Sequence, residues 1–281
     1  MKIATGAAGL IPGGSFEEQF AKARVVGFDC VELWLWANGD TNGTLTLDST
    51  EEDYAKIRSL IKEYGIGVES IASGAYWSAG AFGSSDPAKS AEAVKILRKQ
   101  LEAAKAIGAD TILVVTNLDP DTEYMDSIEL TIKLFRDMRE EIEGTGVSIG
   151  LENVWNRFFM SPLDVIYVLE KIDNPLVGLY FDIGNMVAFS EPEYWITTLG
   201  KYIKKVHIKD FKRTSGYNSG GTFCGLFEGD VDFEKCMPLL KKAGYDGVIT
   251  AEVGKTDPDI TQEEHVEKLY KAMRKIANMA K

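Results

Sequence analysis

At 281 residues and 45% hydrophobic content, the chain is long enough for one large α/β domain or two small ones, each with a real core. A formal net charge of −12 argues against nucleic acid and anionic membrane as main partners. Three cysteines without CxxC spacing, no apolar run of transmembrane length, and an N-terminus that begins a strand without a signal-peptide pattern point to a cytoplasmic protein with reduced thiols.

The first strand is expected over residues 2–5, followed by a loop with Gly9, Pro12, Gly13 and Gly14. Ser15 caps a helix running to about residue 25, and Glu18 completes a capping box. A second strand, 30–34, leads into a polar Gly/Asn/Thr loop. The second helix covers about 49–64, with Gly65 as its stop, and the third strand 68–72. A long loop carrying Tyr76, Trp77 and Phe82 ends at Asp86-Pro87, a cap and first-turn proline that open a helix to residue 107. The fourth strand is 111–115 and its helix 124–143. The fifth strand, 147–151, stops on Glu152, and Ser161-Pro162 starts a helix ending near 172. The sixth strand is 177–181, followed by a short helix over 192–199. The seventh strand, 203–208, precedes a Gly/Ser/Thr-rich loop over 214–229. A helix over 232–243, a strand over 247–253 and a helix over 261–279 complete the chain.

One junction recurs. Gly27-Phe28-Asp29, Gly108-Ala109-Asp110 and Gly244-Tyr245-Asp246 each stand between a helix and the next strand. Glycine ends the helix in the left-handed conformation and aspartate turns the chain. The strands read as β-branched and apolar on both faces, as parallel strands covered by helices must. Eight strand–helix units without a composition break predict a single (β/α)8 TIM barrel domain over residues 1–281 rather than an open sheet.

Four apolar strands end on a group that is costly to bury unpaired: Glu152, Asp182, His207 and Glu252. In a barrel these ends share one mouth, from four neighbouring strands. Three carboxylates and one imidazole suit one divalent ion, Mn²⁺ first, with Co²⁺, Mg²⁺ or Zn²⁺ as alternatives. The bland reading is four separate structural ion pairs. The second of the two histidines, His265, reads as an exposed residue of the last helix.

The chain resembles the xylose isomerase-like barrel superfamily of sugar and sugar-phosphate isomerases and epimerases. The matching stretches are Gly27-Phe28-Asp29-Cys30-Val31-Glu32-Leu33, Leu151-Glu152-Asn153, Asn156-Arg157-Phe158 and Asp182-Ile183-Gly184-Asn185. To these are added Val206-His207-Ile208-Lys209-Asp210, Glu228-Gly229-Asp230-Val231-Asp232 and Ala251-Glu252. Within that group it looks most like ketose 3-epimerases and L-ribulose-5-phosphate 3-epimerases. The resemblance implies that Glu152, Asp182, His207 and Glu252 hold the ion and that Glu152 and Glu252 are also the acid/base pair. Inverting a carbon beside a ketone through a cis-enediolate needs a carboxylate on each face, each acting as base in one direction and acid in the other.

Lys209 and Arg213 are candidates for holding a sugar hydroxyl or phosphate, against the alternative that Lys204, Lys205, Lys209, Lys212 and Arg213 form a solvated basic stretch. Asn185 stands where several ketose 3-epimerases carry His, and remains a candidate substrate donor. Trp34 and Trp36 either wall a sugar pocket or pack at the core edge. Those epimerases tend to carry an acidic residue just after Asn-Arg-Phe; Phe159 takes that place here, which leaves phosphosugars or a different sugar open. The expected partner is a small sugar or sugar phosphate, and the expected assembly a homodimer or homotetramer. The alternatives are an inosose-type dehydratase on the same ion site, a metal-dependent phosphodiesterase and a non-catalytic sugar-binding protein.

Overall fold

The structure, a computed structural model, describes residues 1–39, 42–77 and 81–280. Eight parallel strands form its centre: β1 (Lys2–Gly6), β2 (Cys30–Trp36), β3 (Gly67–Ser73), β4 (Thr111–Val114), β5 (Ser148–Glu152), β6 (Val177–Asp182), β7 (Ile203–Ile208) and β8 (Val248–Ala251). Each pairs with the next in chain order, and β8 pairs with β1, so the sheet closes without an edge. The surrounding helices are α1 (Phe16–Val26), α2 (Glu51–Tyr64), α3 (Pro87–Ile107), α4 (Tyr124–Asp137), α5 (Pro162–Ile172), α6 (Pro192–Leu199), α7 (Phe233–Lys242) and α8 (Gln262–Met279). This is the (β/α)8 barrel. Among the described residues no helix is long and apolar enough to cross a membrane.

Local chemistry explains the boundaries. Ser15 Oγ accepts from the Glu18 N–H at 3.3 Å, and Glu18 returns a bond to the Ser15 N–H at 2.8 Å, the capping box read from the sequence. Gly27, Gly108 and Gly244 take φ of 104°, 94° and 97°, where a side chain is strained. The aspartate after the first of these binds the Ile3 N–H at 2.8 Å and Arg274 of α8, so Asp29 ties the first strand to the last helix.

The outer faces of the strands bury Ile3, Val31, Ile71, Ile112, Ile149 and Leu179 to within 1% of complete. The inner face departs from the expected apolar character. Glu32, Glu69, Ser70, Tyr180, Lys205, His207 and Thr250 are all buried there and joined to one another. Two irregularities place them. Between Val31 and Glu32 the register to β3 jumps from Val68 to Ser70, so Glu69 is an extra residue. Between Leu179 and Tyr180 the register to β7 jumps from Ile203 to Lys205. Gly150 makes room for Tyr180: a Cβ there would lie 2.7 Å from the tyrosine Cβ.

Four stretches differ from the sequence expectation. The first loop contains a one-turn helix, Ala7–Leu10. The polar loop after β2 returns Leu45–Thr46 to pair with Leu35 and Trp36. The helix expected over 124–143 is interrupted at Met138 and continues as Arg139–Glu143. The Gly/Ser/Thr-rich loop folds back as an antiparallel ribbon, Asp210–Arg213 against Gly221–Cys224. Buried Asp210 pins that ribbon by accepting from the N–H groups of Phe211, Gly229 and Val231 at 2.9, 2.9 and 3.2 Å. Gly229 is required because a Cβ would fall 2.0 Å from Asp210 Oδ1.

Candidate active site

Glu152 and Asp182 are the last residues of β5 and β6, His207 is the penultimate residue of β7, and Glu252 follows β8 directly. All four therefore stand at the C-terminal mouth, where barrel enzymes place their chemistry. One oxygen or nitrogen from each lies within 4.8 Å of the others. Neighbouring backbone fixes their aim. Asn153 exchanges two hydrogen bonds with the Asp182 main chain, at 2.8 and 2.9 Å. The N–H groups of Gly184 and Asn185 both donate to Asp182 Oδ1 at 2.8 Å. That leaves Oδ2 facing the cluster.

His207 Nδ1 is 3.2 Å from Glu252 Oε2 and 3.8 Å from Glu152 Oε1. Its Nε2 is 3.1 and 3.3 Å from the two oxygens of Glu32. The Lys209 ammonium stands 2.7 Å from Glu252 Oε2 and 3.2 Å from Asp182 Oδ2. Burial pushes Glu152 up to about 7 and raises Asp182 from its ordinary value. Burial acts the same way on Glu252, but His207 and Lys209 outweigh it and hold this carboxyl well below its ordinary value. For His207 burial opposes the charged form, yet Glu32, Glu152 and Glu252 prevail and the imidazole is raised.

Asp182 Oδ2, His207 Nδ1 and Glu252 Oε2 are buried and make no hydrogen bond, although the Lys209 charge reaches both oxygens. Buried polar atoms are ordinarily hydrogen-bonded, so two carboxylate oxygens sharing one ammonium beside an imidazole nitrogen without a hydrogen bond leave room for a further cation. Three carboxylates and one imidazole have the chemistry of a divalent-ion donor set. The residues present fit such an ion.

A cavity of about 350 Å³ opens beside this cluster, lined by Thr5, Trp34, Lys209, Phe223, Cys224 and Glu252 among others. Of the residues singled out for substrate, Trp34 and Lys209 thus reach the same cavity, and Asn185 places its amide 3.5 Å from Glu152 Oε1. Trp36 stacks on Trp34, with ring centroids 5.5 Å apart. Arg213 does not line this cavity: it is 3.7 Å from Glu191 and 3.5 Å from Asp230, and covers the Tyr217 ring. Phe159 is turned into the core against Phe158 and offers the cavity nothing. The basic stretch is not uniformly solvated, since Lys205 is buried and Lys209 half-buried, each against carboxylates. His265 is half-buried rather than exposed, facing a neighbouring cavity with Lys268 and Asp257, and burial lowers its pKa.

Glu32 was present in a matching stretch but carried no assigned role. The available signal was a carboxylate in the middle of an otherwise apolar strand, which demands a partner from across the barrel.

The profile of the xylose isomerase-like TIM barrel matches residues 20–280. The chain belongs to the xylose isomerase-like TIM barrel family. Within this family it is similar to the L-ribulose-5-phosphate 3-epimerase UlaE of Shigella flexneri, with 30% identity over 246 residues, covering 84% of this chain and 82% of that protein. Among solved structures, an L-ribulose 3-epimerase superposes with a TM-score of 0.79 at 17% identity, over 100% of this chain and 96% of the other. The IOLI protein with a bound zinc atom gives a TM-score of 0.79 at 16% identity, over 99% of this chain and 98% of the other. At those identities the two structures show a shared barrel.

Proposed function

We propose that this xylose isomerase-like barrel is a divalent-metal-dependent epimerase that inverts C3 of a ketose or ketose phosphate. The observation that carries the reading is the convergence of Glu152, Asp182, His207 and Glu252 within 4.8 Å, at the mouth of the barrel. The relative named L-ribulose-5-phosphate 3-epimerase supports the reaction class and makes that phosphate the first substrate to try. The zinc carried by the similar IOLI structure supports a divalent ion; with three carboxylates against one nitrogen, Mn²⁺ is our first choice.

The four residues would hold the ion, which supplies Lewis-acid stabilisation of the negative charge developing on the sugar oxygens. Glu152 and Glu252 come from strands on different sides of His207, and this placement suits a proton transfer on each face of the sugar. One carboxylate removes the C3 proton and the other, protonated, returns one to the opposite face. Lys209 and Asn185 carry N–H donors beside the two glutamates and would orient sugar oxygens. Trp34 offers an apolar wall for the C–H face of the sugar.

Solvent deuterium uptake, followed by NMR over ketoses and ketose 5-phosphates with added Mn²⁺, tests the reading. Label is expected at C3 of the true substrate, with inversion. Glu152→Gln and Glu252→Gln should each lower turnover by about 100-fold or more, the scale of acid/base catalysis. Loss of water from the product would identify a dehydratase instead. Wild-type turnover in both variants would sink the two-carboxylate mechanism.

A further inference from the structure

An imidazole that ligates an ion through one nitrogen must carry its proton on the other, and the partner of that second nitrogen decides which is which. His207 is completely buried, so solvent does not make this choice. Its Nε2 meets both Glu32 oxygens, at 3.1 and 3.3 Å, from β2 on the other side of the barrel interior. The Glu32 carboxylate is itself fixed. Its Oε2 accepts from Ser70 Oγ at 2.6 Å and from the Tyr180 hydroxyl at 2.7 Å. The tyrosine ring also lies 4.5 Å from the imidazole, centroid to centroid, in the space that Gly150 leaves open. Glu32 is therefore held on one side by two hydroxyls and presents a charged acceptor to Nε2 on the other. The remaining nitrogen, Nδ1, is the one that faces Glu152 and Glu252, at 3.8 and 3.2 Å, and it makes no hydrogen bond.

We propose that Glu32 is a positioning residue for the ion site: it keeps the His207 proton on Nε2, turns Nδ1 toward the three carboxylates, and strengthens that nitrogen as a ligand. The proposal rests on the ion-binding reading given above. Glu32 also lines the cavity beside the cluster, but the role proposed for it acts through the imidazole.

Calorimetric Mn²⁺ titration of the wild type, Glu32→Gln, His207→Ala and the double variant tests it. Glu32→Gln keeps the size of the side chain and an oxygen for Ser70 and Tyr180, while removing the charge. Its Mn²⁺ affinity should fall by about 10–100-fold, the usual cost of losing such a partner. The double variant should bind no more weakly than His207→Ala alone, because Glu32 acts only through that imidazole. A merely structural Glu32 would lower thermal stability while leaving the affinity of the folded protein unchanged.

A second measurement reads the proton directly. The chain has two histidines, so His207→Ala identifies the His207 imidazole in a long-range ¹H–¹⁵N spectrum. In the Zn²⁺-loaded wild type the proton should be on Nε2. A proton on Nδ1 overturns the proposal, as does undiminished affinity in Glu32→Gln when His207→Ala is weakened. No ion binding by the wild type, or none lost in His207→Ala, overturns the ion-site reading itself and this proposal with it.

Discussion

The barrel interior buries charge at two levels. Toward the N-terminal face, Glu69 and Lys205 are 5% and 4% exposed; at the mouth, Glu152, Asp182 and His207 are 6%, 0% and 0% exposed. Burial does not distinguish them, but the balance of charge does. At the lower level Glu69 Oε1 accepts from Ser70 and Thr250, and Oε2, which makes no hydrogen bond, lies 2.6 Å from the Lys205 ammonium. Lys205 also reaches Asp110 at 3.0 Å, so the cation is shared between two carboxylates. At the mouth three carboxylates face one ammonium and one imidazole, and three buried atoms lack a hydrogen bond. The lower cluster sets one buried glutamate against its own ammonium, whereas the upper one gathers three carboxylates around a single ammonium and a single imidazole. A buried acid is therefore a functional signal only when its surroundings leave it short of donors.

Breaking the lower level should give the largest stability change. Lys205→Met leaves Glu69 buried without its cation, and the expected cost is about 3–5 kcal/mol, read by urea denaturation. Mn²⁺ affinity at the mouth should hardly move. A Lys205→Met protein as stable as the wild type would show that the pair is not what makes burial of Glu69 tolerable.

The upper level should respond to the ion instead. Mn²⁺ at a hundred times its dissociation constant is expected to raise unfolding stability by about 2.7 kcal/mol. EDTA should remove the gain, and Asp182→Asn should largely abolish it. Lys205→Met should retain it on a lower baseline. An equal gain in Asp182→Asn would place the ion away from this cluster.

A third charge cluster, at the rim, gives the smallest effect. Asp119 accepts from Ser84 and Thr122 at 2.6 and 2.8 Å and pairs at 2.9 Å with Lys89, whose side chain is 36% exposed. The Ser84 hydroxyl, then Lys89, hold the Asp119 carboxyl well below the ordinary aspartate value of 3.8. A depressed carboxylate contributes stability above that ordinary value and loses it as pH falls toward the folded one. Asp119→Asn should therefore lower the melting temperature slightly at pH 7, with the gap to wild type closing below about pH 4. A gap that widens in acid would contradict the assignment.

The upper level was legible in the sequence because a carboxylate or imidazole stops an apolar run, and the barrel gathers the stops at one mouth. The lower level was not. Glu69 looks inward only because β3 carries an extra residue there, and an alternating pattern with one insertion no longer reports which side a residue faces. Lys205 was masked by its neighbours, since Lys204 donates to the Pro175 carbonyl outside while Lys205 turns in. In the sequence the ribbon after β7 reads as a loop because its Gly, Ser and Thr content carries no apolar alternation. Phe211 and Phe223, which face each other across its two strands, are the residues that betray it. The interruption at Met138 has neither proline nor glycine to announce it.

That ribbon has a consequence for how such a protein diversifies. Phe223 and Cys224 line the cavity, and Phe223 packs on Trp155 and Phe211 with centroids 5.1 and 5.2 Å apart. Yet the two strands pair only with each other, outside the hydrogen bonds that close the barrel. The segment that shapes the pocket is thus paired separately from the strand ends that would grip the ion, and meets them through Phe223, whose ring lies 4.8 Å from the Lys209 ammonium. Exchanges at Phe223 and Cys224 would redraw the outline of the cavity, while the carboxylates stay on barrel strands whose pairing the ribbon does not share. The pocket wall and the donor set are carried on separately paired pieces of one polypeptide, and the first can change without re-registering the second.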